Sequence, residues 1–408
     1  MLHILFLPSW YPNRQYLQNG DFVQRHAEAV SLHCRVGVLY VLAEEGTKRY
    51  EVESSRHKNL FEVRVYFPKS SRFSVFSRYQ NYLKAHRLGY EAILKEMGRI
   101  DLVHLNVIYK AGIFALELKK KYNIPYILTE HWTAFLPINP VWFTPYQKYV
   151  IKKIGRGASL LCPVSHDLKK AMQQFGLPGP YEVVPNVVDT KLFGVRERSV
   201  SQDIAAGESS PSGDGGNRKK KTGDASIKKM LHISTLYDVH KNVSGLLRVV
   251  KKLSALRSDF SLTIVGNGYI AEHQQTICQL ELEKVVNLKG EIPHTEVARE
   301  MQAHDLFVLF SNFENLPCVI IEAQASGLPV LATDVGGISE MIDEASGRLV
   351  PARDEEALLE KMNGMLDEMD NYERLKIRES AVTRFSYEEV GERFKHIYQR
   401  IVKKEQTK

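Results

Sequence analysis

The chain has 408 residues, of which 44% are apolar, 25% charged and 10% aromatic, which is typical of a soluble globular protein. At roughly 150 residues per domain, this length predicts two or three domains. No run of about 18 apolar residues occurs, so no membrane-spanning helix is expected. Four cysteines without a C-x-x-C pair argue against a disulfide framework or a zinc site.

The charge is divided unevenly along the chain. Lys and Arg number 55 and Asp and Glu 48, a net charge of +7. Residues 1–195 carry 26 basic and 15 acidic side chains (+11), residues 196–229 carry 8 and 5 (+3), and residues 230–408 carry 21 and 28 (−7). We interpret the basic first part as the side that meets an acceptor or a membrane surface, and we expect no nucleic-acid partner.

The chain opens with an apolar run that Pro8 ends after a few residues, without a basic region before it. This is a poor signal peptide and is better interpreted as a first buried strand. Together with the cysteine pattern, it predicts a cytoplasmic protein. Peripheral attachment to the inner face of the membrane stays open at this point.

Short apolar runs alternate with longer amphipathic segments along most of the chain. The predicted strands before residue 195 are 2–7, 36–42, 61–67, 102–107, 126–129, 160–164 and 182–185. Those after residue 229 are 230–235, 261–265, 285–289, 306–310, 330–333 and 348–350. Helical patterns include 79–97, 146–154, 243–256 and 296–303. Runs that are apolar throughout predict parallel strands covered on both faces, hence two doubly wound α/β domains with a cleft between them.

A polar stretch from about residue 199 to 229 separates the two alternating parts. It is rich in Gly, Ser and Lys and contains the basic run Arg218–Lys221, which we interpret as solvated rather than as a nucleic-acid or lipid patch. The predicted organisation is an acceptor-binding domain at 1–195, a linker at 196–229, a donor-binding domain at 230–385 and a C-terminal helix at 386–408. That helix could pack back on the first domain.

The segment from Phe310 to Val330 is the richest in chemistry. A buried strand ends near Ser311, Pro317 predicts a helix start, and Gly327 predicts its end. The free N–H groups of such a helix start suit a diphosphate. Glu314 precedes the helix and could meet a sugar hydroxyl, whereas Glu322, about 7–8 Å along it, could hold ribose hydroxyls. Taken alone, both carboxylates could equally be ordinary helix residues.

Two further loops follow predicted strands of the second part. Lys241 opens a helix after the first strand and could place a charge on a phosphate, although any such loop can carry a lysine. Gly336 and Gly337 form a tight turn that predicts a second backbone cradle beside the same cleft.

These residues resemble glycosyltransferase family 4, retaining enzymes whose GT-B fold has two Rossmann-like domains facing a central cleft. The resemblance is carried in the second half by Lys241, Glu314-x7-Glu322, Gly327-Leu-Pro-Val330, Gly336-Gly337 and the strand closed by Gly266-Asn-Gly268. In the first half it is carried by the stretches that begin at Gly20, Thr129, Pro163 and Val184.

The resemblance implies a role for each matching residue. Glu314 would contact the transferred sugar near the reacting carbon, with His131 beside that sugar. The residues that would bind the donor are Gly20, Lys241, Asn242, Gly266, Asn315, Leu316 and Glu322. The chain departs from the family about five residues before Lys241, where an arginine is usual and Thr235–Tyr237 stands instead.

The function that this implies is retaining transfer of a sugar from a nucleotide diphosphate sugar to a glycan or lipid-linked glycan. We expect no metal, because no Asp-x-Asp pair occurs, and no cofactor besides the donor. The departure at Thr235 leaves a second interpretation, a nucleotide-sugar-binding protein with impaired catalysis. A third is an NAD-dependent dehydrogenase, because Gly266–Ala271 matches G-x-G-x-x-A.

Cations alternate with aromatic residues from Tyr66 to Lys84 in the predicted acceptor domain. One hypothesis is that this segment touches an anionic membrane surface and presents the enzyme to a lipid-linked acceptor. The alternative is a loop and helix whose aromatic side chains are buried and whose cations are solvated.

Overall fold

The computed structural model describes residues 1–69, 74–137, 143–195 and 227–407. The strands within these ranges are β1 His3–Pro8, β2 Arg35–Glu44, β3 Glu51–His57, β4 Leu60–Pro68, β5 Leu102–Asn106, β6 Tyr126–Glu130, β7 Leu160–Pro163, β8 Lys228–Leu236, β9 Phe260–Gly268, β10 Val286–Lys289, β11 Leu306–Leu309, β12 Val330–Thr333 and β13 Gly347–Val350. The helices are α1 Asp21–Ser31, α2 Val75–Met97, α3 Ala111–Tyr122, α4 Pro145–Gly157, α5 His166–Phe175, α6 Asp238–Lys241, α7 Val243–Leu256, α8 Ile270–Gln279, α9 His294–Ala303, α10 Cys318–Ala325, α11 Glu355–Asp367, α12 Arg374–Phe385 and α13 Tyr387–Gln406.

The strands form two separate sheets. The first, in the described residues, has seven strands in the order β3-β4-β2-β1-β5-β6-β7, parallel except for β3, which pairs antiparallel with β4 at one edge. The second has six parallel strands in the order β10-β9-β8-β11-β12-β13. Both are α/β sheets of the doubly wound kind, as predicted.

The strand order reverses beside the central strand of each sheet, between β1 and β5 and between β8 and β11. At such a switch point the loops after the strands separate to opposite faces and leave a crevice at the carboxyl ends. The central strands are buried throughout, from Ile4 to Leu7 in β1 and from Leu306 to Leu309 in β11. The core therefore lies along the strands, and the cleft lies where they end.

Two strand predictions differ from the structure. The segment 182–185 is not a strand, although an isolated bridge joins Tyr181 to Leu161 of β7 and the N–H of Val184 donates to the carbonyl oxygen of Pro163. Because Pro163 has no N–H to donate in return, the ladder is not continuous. Strand β3 was not predicted, since its sequence is polar and its residues are largely exposed at the sheet edge.

The predicted linker at 196–229 lies mostly outside the described residues, as does its basic run at 218–221. Its last two residues, Lys228 and Lys229, belong to β8 and not to a linker. They pair with Phe260 and Ser261 of β9, so the second sheet begins earlier than predicted.

The C-terminal helices connect the two halves. Helix α13 packs on α1, where a Cβ at Gly391 would meet the carbonyl oxygen of Ala29 at 2.3 Å, so glycine permits this close approach. In α12, Arg378 donates to the carbonyl oxygens of Thr190 and Phe193 in the first half and of Ala325 in the second. These contacts set the relative position of the two sheets and hence the shape of the cleft.

Candidate functional site

A cavity of about 840 Å³ lies in the cleft, lined by loops from both sheets. Seven of the predicted site residues contribute to its wall: His131, Lys241, Gly266, Glu314, Asn315, Leu316 and Glu322. Chain segments up to 191 residues apart, from His131 to Glu322, therefore converge there, because each lies near the carboxyl end of a parallel strand or in the segment that follows it.

Two predicted donor-binding residues lie next to this wall and not in it. Gly20 precedes α1 with a φ of +71°, and a Cβ there would meet the carbonyl group of Trp10 at 2.4 Å, so only glycine lets the Trp10 loop close on α1. Asn242 joins α6 to α7 in a left-handed conformation, with a φ of 49°. Its backbone carbonyl accepts from the N–H of Leu246 in α7.

Lys241 and Glu314 form an ion pair in the wall of the cavity. The Lys241 Nζ atom lies 2.5 Å from Oε1 of Glu314, and the Ser311 hydroxyl donates to the same oxygen at 2.7 Å. Glu314 is 8% exposed, so its carboxylate points into a mostly dry environment with one face towards the cavity. This pair brings a cation and a carboxylate to the place where sequence reasoning put the phosphate and the sugar.

Helix α10 begins at Cys318, directly after Pro317, and Gly327 follows it with a φ of +74°. The prediction of a helix between Pro317 and Gly327 is thus confirmed. Leu316 precedes the helix, and its carbonyl oxygen accepts from the Asn186 amide at 2.7 Å. The backbone N–H groups at the start of α10 are available to an anion in the cavity.

Glu322 is buried inside α10 and holds two charged or titratable partners. Its Oε1 atom lies 2.5 Å from a terminal nitrogen of Arg25 and 2.9 Å from Nε2 of His294. Burial alone would raise the pKa of Glu322, but Arg25 and His294 outweigh it and lower that pKa to about 2. The carboxylate is therefore ionised at any physiological pH.

His131 lies where the first half meets the second. Its carbonyl oxygen accepts from the Asn315 amide at 3.0 Å, and the Asn315 oxygen accepts from the Ser165 hydroxyl at 3.1 Å. Burial keeps the pKa of His131 well below its usual value, and repulsion from His26 and His104 adds to this, so its ring is neutral at pH 7. Neither ring nitrogen has a hydrogen bond of normal geometry to the described residues.

The buried carboxylate of Glu130 organises the backbone at this point. It accepts from the N–H groups of Ile108, His131 and Trp132 at 2.9 to 3.0 Å. Burial raises its pKa to about 7, while these three donors favour the charged form. Glu130 thereby fixes the loop that presents His131 and Trp132 to the cavity.

The other glycines support the site from behind. A Cβ at Gly336 would meet the carbonyl oxygen of Glu314 at 2.1 Å. The N–H of Gly337 donates to the carbonyl oxygen of Asn315 at 2.8 Å. The Gly336-Gly337 turn, predicted as a second cradle, therefore braces the Glu314–Asn315 backbone. At Gly266, which does line the cavity, a Cβ would meet the Ser234 carbonyl oxygen at 1.8 Å.

Sequence reasoning missed four residues of this site: Trp10, Arg25, Glu130 and His294. Trp10 and Trp132 pack edge to face at 6.0 Å and form an aromatic wall on the first-domain side of the cavity. A signal was present for two of them. Arg25 stands four residues after Asp21 on one helical face, and His294 follows the carboxyl end of β10.

Among the described residues, no three His, Cys, Asp or Glu side chains come together in a way that could hold a metal ion. Within the same ranges, none of the helices combines the length and apolarity needed to cross a membrane.

Comparisons with known proteins agree with this geometry. The family model described as Glycosyltransferase Family 4 matches residues 27–192, and that described as Glycosyl transferases group 1 matches residues 217–381. Together they cover most of the chain. This goes against the dehydrogenase interpretation of Gly266–Ala271.

Two curated relatives and one solved structure illustrate the similarity. A GDP-mannose-dependent monoacylated α-(1-6)-phosphatidylinositol monomannoside mannosyltransferase of Corynebacterium glutamicum is 26% identical over 62% of this chain and 66% of its own length. The N-acetyl-α-D-glucosaminyl L-malate synthase of Bacillus anthracis is 24% identical over 88% and 90%. The structure of Anabaena HepE in complex with UDP and glucose, 18% identical, superposes with a TM-score of 0.69 over 98% of this chain and 100% of that one. The chain belongs to the family 4 glycosyltransferases and has their GT-B fold.

Proposed function

We propose that the protein transfers a sugar with retention, and without a metal ion, from a nucleotide diphosphate sugar to a glycan or lipid-linked glycan. The observation that carries this proposal is the Lys241–Glu314 pair in a cavity that also holds the start of α10 and Glu322. Lys241 and the helix N-terminus suit a diphosphate, Glu322 suits a ribose, and Glu314 suits a sugar. The two carboxylates lie at different depths, as the ribose and the sugar of such a donor would.

The donor would lie along the second-sheet wall of the cavity. Its diphosphate would meet the N–H groups at the start of α10 together with Lys241, and its ribose would donate to Glu322. The sugar would then reach Glu314, with the neutral ring of His131 facing it from the first half. His131 has buried ring nitrogens without partners of normal geometry, which supports a hydrogen bond to the donor sugar.

Departure of the nucleotide places negative charge on the β-phosphate and positive charge on the anomeric carbon. Preorganised cations and helix dipoles stabilise such a developing charge without reorganising. Lys241 and the start of α10 would supply this stabilisation, and the ionised Glu314 would lie on the side of the anomeric carbon. These groups can take the place of the metal ion that Asp-x-Asp enzymes use.

The names of the relatives support the choice of substrates. The corynebacterial relative uses GDP-mannose and a phosphatidylinositol mannoside, and the Anabaena structure holds UDP and glucose. A nucleotide diphosphate sugar as donor is consistent with both, and a glycan on a lipid as acceptor is consistent with the corynebacterial relative. The aromatic wall of Trp10 and Trp132 offers flat apolar surface on the acceptor side.

The test is a donor screen in the presence of EDTA. We expect nucleotide release from at least one of UDP-glucose, UDP-N-acetylglucosamine and GDP-mannose, at an unchanged rate when the chelator is added. A rate that EDTA abolishes and Mn²⁺ restores would contradict the metal-independent proposal. Nucleotide binding with no release from any donor would support impaired catalysis, and an inverted product linkage by NMR would contradict retention.

A surface on the first domain supports a membrane-attached acceptor. The proposed segment Tyr66–Lys84 divides in the structure: Tyr66 and Phe67 are buried, residues 70–73 lie outside the described ranges, and the start of α2 is exposed. Beside it lies the start of α4, close enough for Tyr146 to affect the pKa of Tyr79. We define the aromatic–basic surface as Phe76, Arg78, Tyr79, Tyr146, Lys148 and Tyr149, all exposed.

Aromatic rings between cations suit the interface of an anionic bilayer. We expect the protein to sediment with vesicles that contain anionic phosphatidylglycerol at low salt, and to be released as salt is raised. Phe76→Ser with Tyr146→Ser should weaken sedimentation, whereas Leu256→Ser, which removes a 65% exposed side chain from the second domain, should not. Absence of sedimentation with either kind of vesicle contradicts membrane attachment, and equal sedimentation with neutral vesicles contradicts a role for anionic lipid.

A further inference from the structure

Arg25 belongs to a helix of the first domain but pairs with a carboxylate of the second domain. It lies in α1, yet its guanidinium group reaches across the cleft and is only 8% exposed. One terminal nitrogen donates to Glu322 of α10 at 2.5 Å, and the other donates to Asp21 at 2.7 Å. Both terminal nitrogens are thus committed to carboxylates, and one of these carboxylates belongs to the opposite domain.

The surroundings of Glu322 explain why such a contact is needed. The carboxylate is 4% exposed and lies one helical turn beyond Cys318, where the proposed diphosphate would meet the start of α10. The second half of the chain, residues 230–408, already carries a net charge of −7. An unpaired buried carboxylate would repel a diphosphate strongly, because few water molecules screen the interaction.

We propose that Arg25 is a positioning residue for donor binding, which fixes the Glu322 carboxylate across the cleft and cancels its charge beside the diphosphate. This inference rests on the proposed function. The donor site is then complete only when the two domains lie as they do here.

Arg25 acts through Glu322 and not as a direct phosphate ligand. Its terminal nitrogens are both within hydrogen-bond distance of carboxylate oxygens, and one of them also lies 2.9 Å from Nε2 of His294. A residue that acts through another should lose its influence when that other residue is altered, and a double-mutant cycle measures this coupling.

The experiment is calorimetric titration of the full chain with UDP, GDP and ADP. We expect Arg25→Met to weaken binding of the preferred nucleotide at least about 10-fold, because it leaves a buried charge unpaired. Arg25→Lys, which keeps the charge, should recover part of this loss. In the Glu322→Gln background, Arg25→Met should change the affinity by less than about 3-fold.

The control is Arg35→Ala, since Arg35 also pairs with a carboxylate of the first domain, Glu96, but far from the cavity. Its nucleotide affinity should equal that of the unaltered protein. Equal losses from Arg25→Met in both backgrounds would overturn the positioning role, and so would an unchanged affinity. If Arg25→Met does not fold, the double variant, which leaves only the partly exposed Asp21 without its partner, and Arg25→Lys still decide the question.

The outcome separates this inference from the proposed function. An unaltered protein that binds none of the three nucleotides contradicts both. An unaltered protein that binds one of them, together with an Arg25→Met variant that binds it equally well, contradicts only the role of Arg25.

Discussion

Glu314→Gln is expected to lower the rate of sugar transfer by about 10²- to 10⁴-fold while the protein still folds and binds nucleotide. Glutamine has nearly the shape of glutamate and can keep the hydrogen bond from Ser311, but it carries no charge. The positive charge that develops on the anomeric carbon would then lose the carboxylate proposed to lie beside it. Turnover with the best donor is the measurement.

The same substitution should not weaken binding of the donor nucleotide. Without its partner at 2.5 Å, Lys241 is free to turn fully to the diphosphate, so the nucleotide should bind equally well or more tightly. Glu296→Gln is the control, since Glu296 lies on α9 outside the cavity and pairs with the exposed Arg299. Wild-type turnover in the Glu314 variant would remove Glu314 from the mechanism.

The stability of the protein is expected to fall steeply between pH 6.5 and pH 4. Burial lowers the pKa of His26, His86 and His232 from 6.5 to about 4, and it also lowers the pKa values of His104 and His131 well below 6.5. A histidine whose pKa is lower in the folded state binds protons more readily when unfolded. Its contribution is complete above pH 6.5 and is lost as the pH falls towards 4.

Two buried glutamates also affect how the stability of the protein changes with pH. Burial raises the pKa of Glu130 to about 7, so its neutral form gains stability as the pH falls from 7 towards 4.5 and offsets about one histidine. The lowered pKa of Glu322, about 2, contributes a loss only below pH 4.5. Each remaining neutral histidine changes the free energy of unfolding by about 1.4 kcal/mol per pH unit, so the histidines dominate the pH dependence of stability.

The measurement is the midpoint of urea unfolding at pH 7.5, 6.5 and 5.5. We expect the free energy of unfolding to drop by about 2 kcal/mol or more between pH 6.5 and 5.5. His86→Phe, far from the cavity, should reduce the slope by about one proton, whereas His57→Gln alters an exposed strand residue and should leave it unchanged. A flat profile would show that these histidines do not stay neutral in the fold.

The larger part of the fold could be predicted because it depends on local patterns. Continuous apolar runs such as Leu306–Leu309 predict parallel strands, and Pro317 followed by Gly327 predicts the bounds of a helix. The edge strand β3 could not be found in this way. Its polar residues are held by pairing with β4, which is a tertiary contact, so periodicity carries no trace of it.

In the site, too, local patterns locate some features and only tertiary contacts decide the others. The sequence by itself determined which carboxylates and which cation follow strand ends, because Lys241, Glu314 and Glu322 lie in loops or short helices after strands that local patterns locate. Only the tertiary structure decided their partners: Lys241 with Glu314, 73 positions apart, and Arg25 with Glu322, 297 positions apart. Such pairs depend on how two sheets face one another across a cleft, and no periodicity within either segment encodes that arrangement.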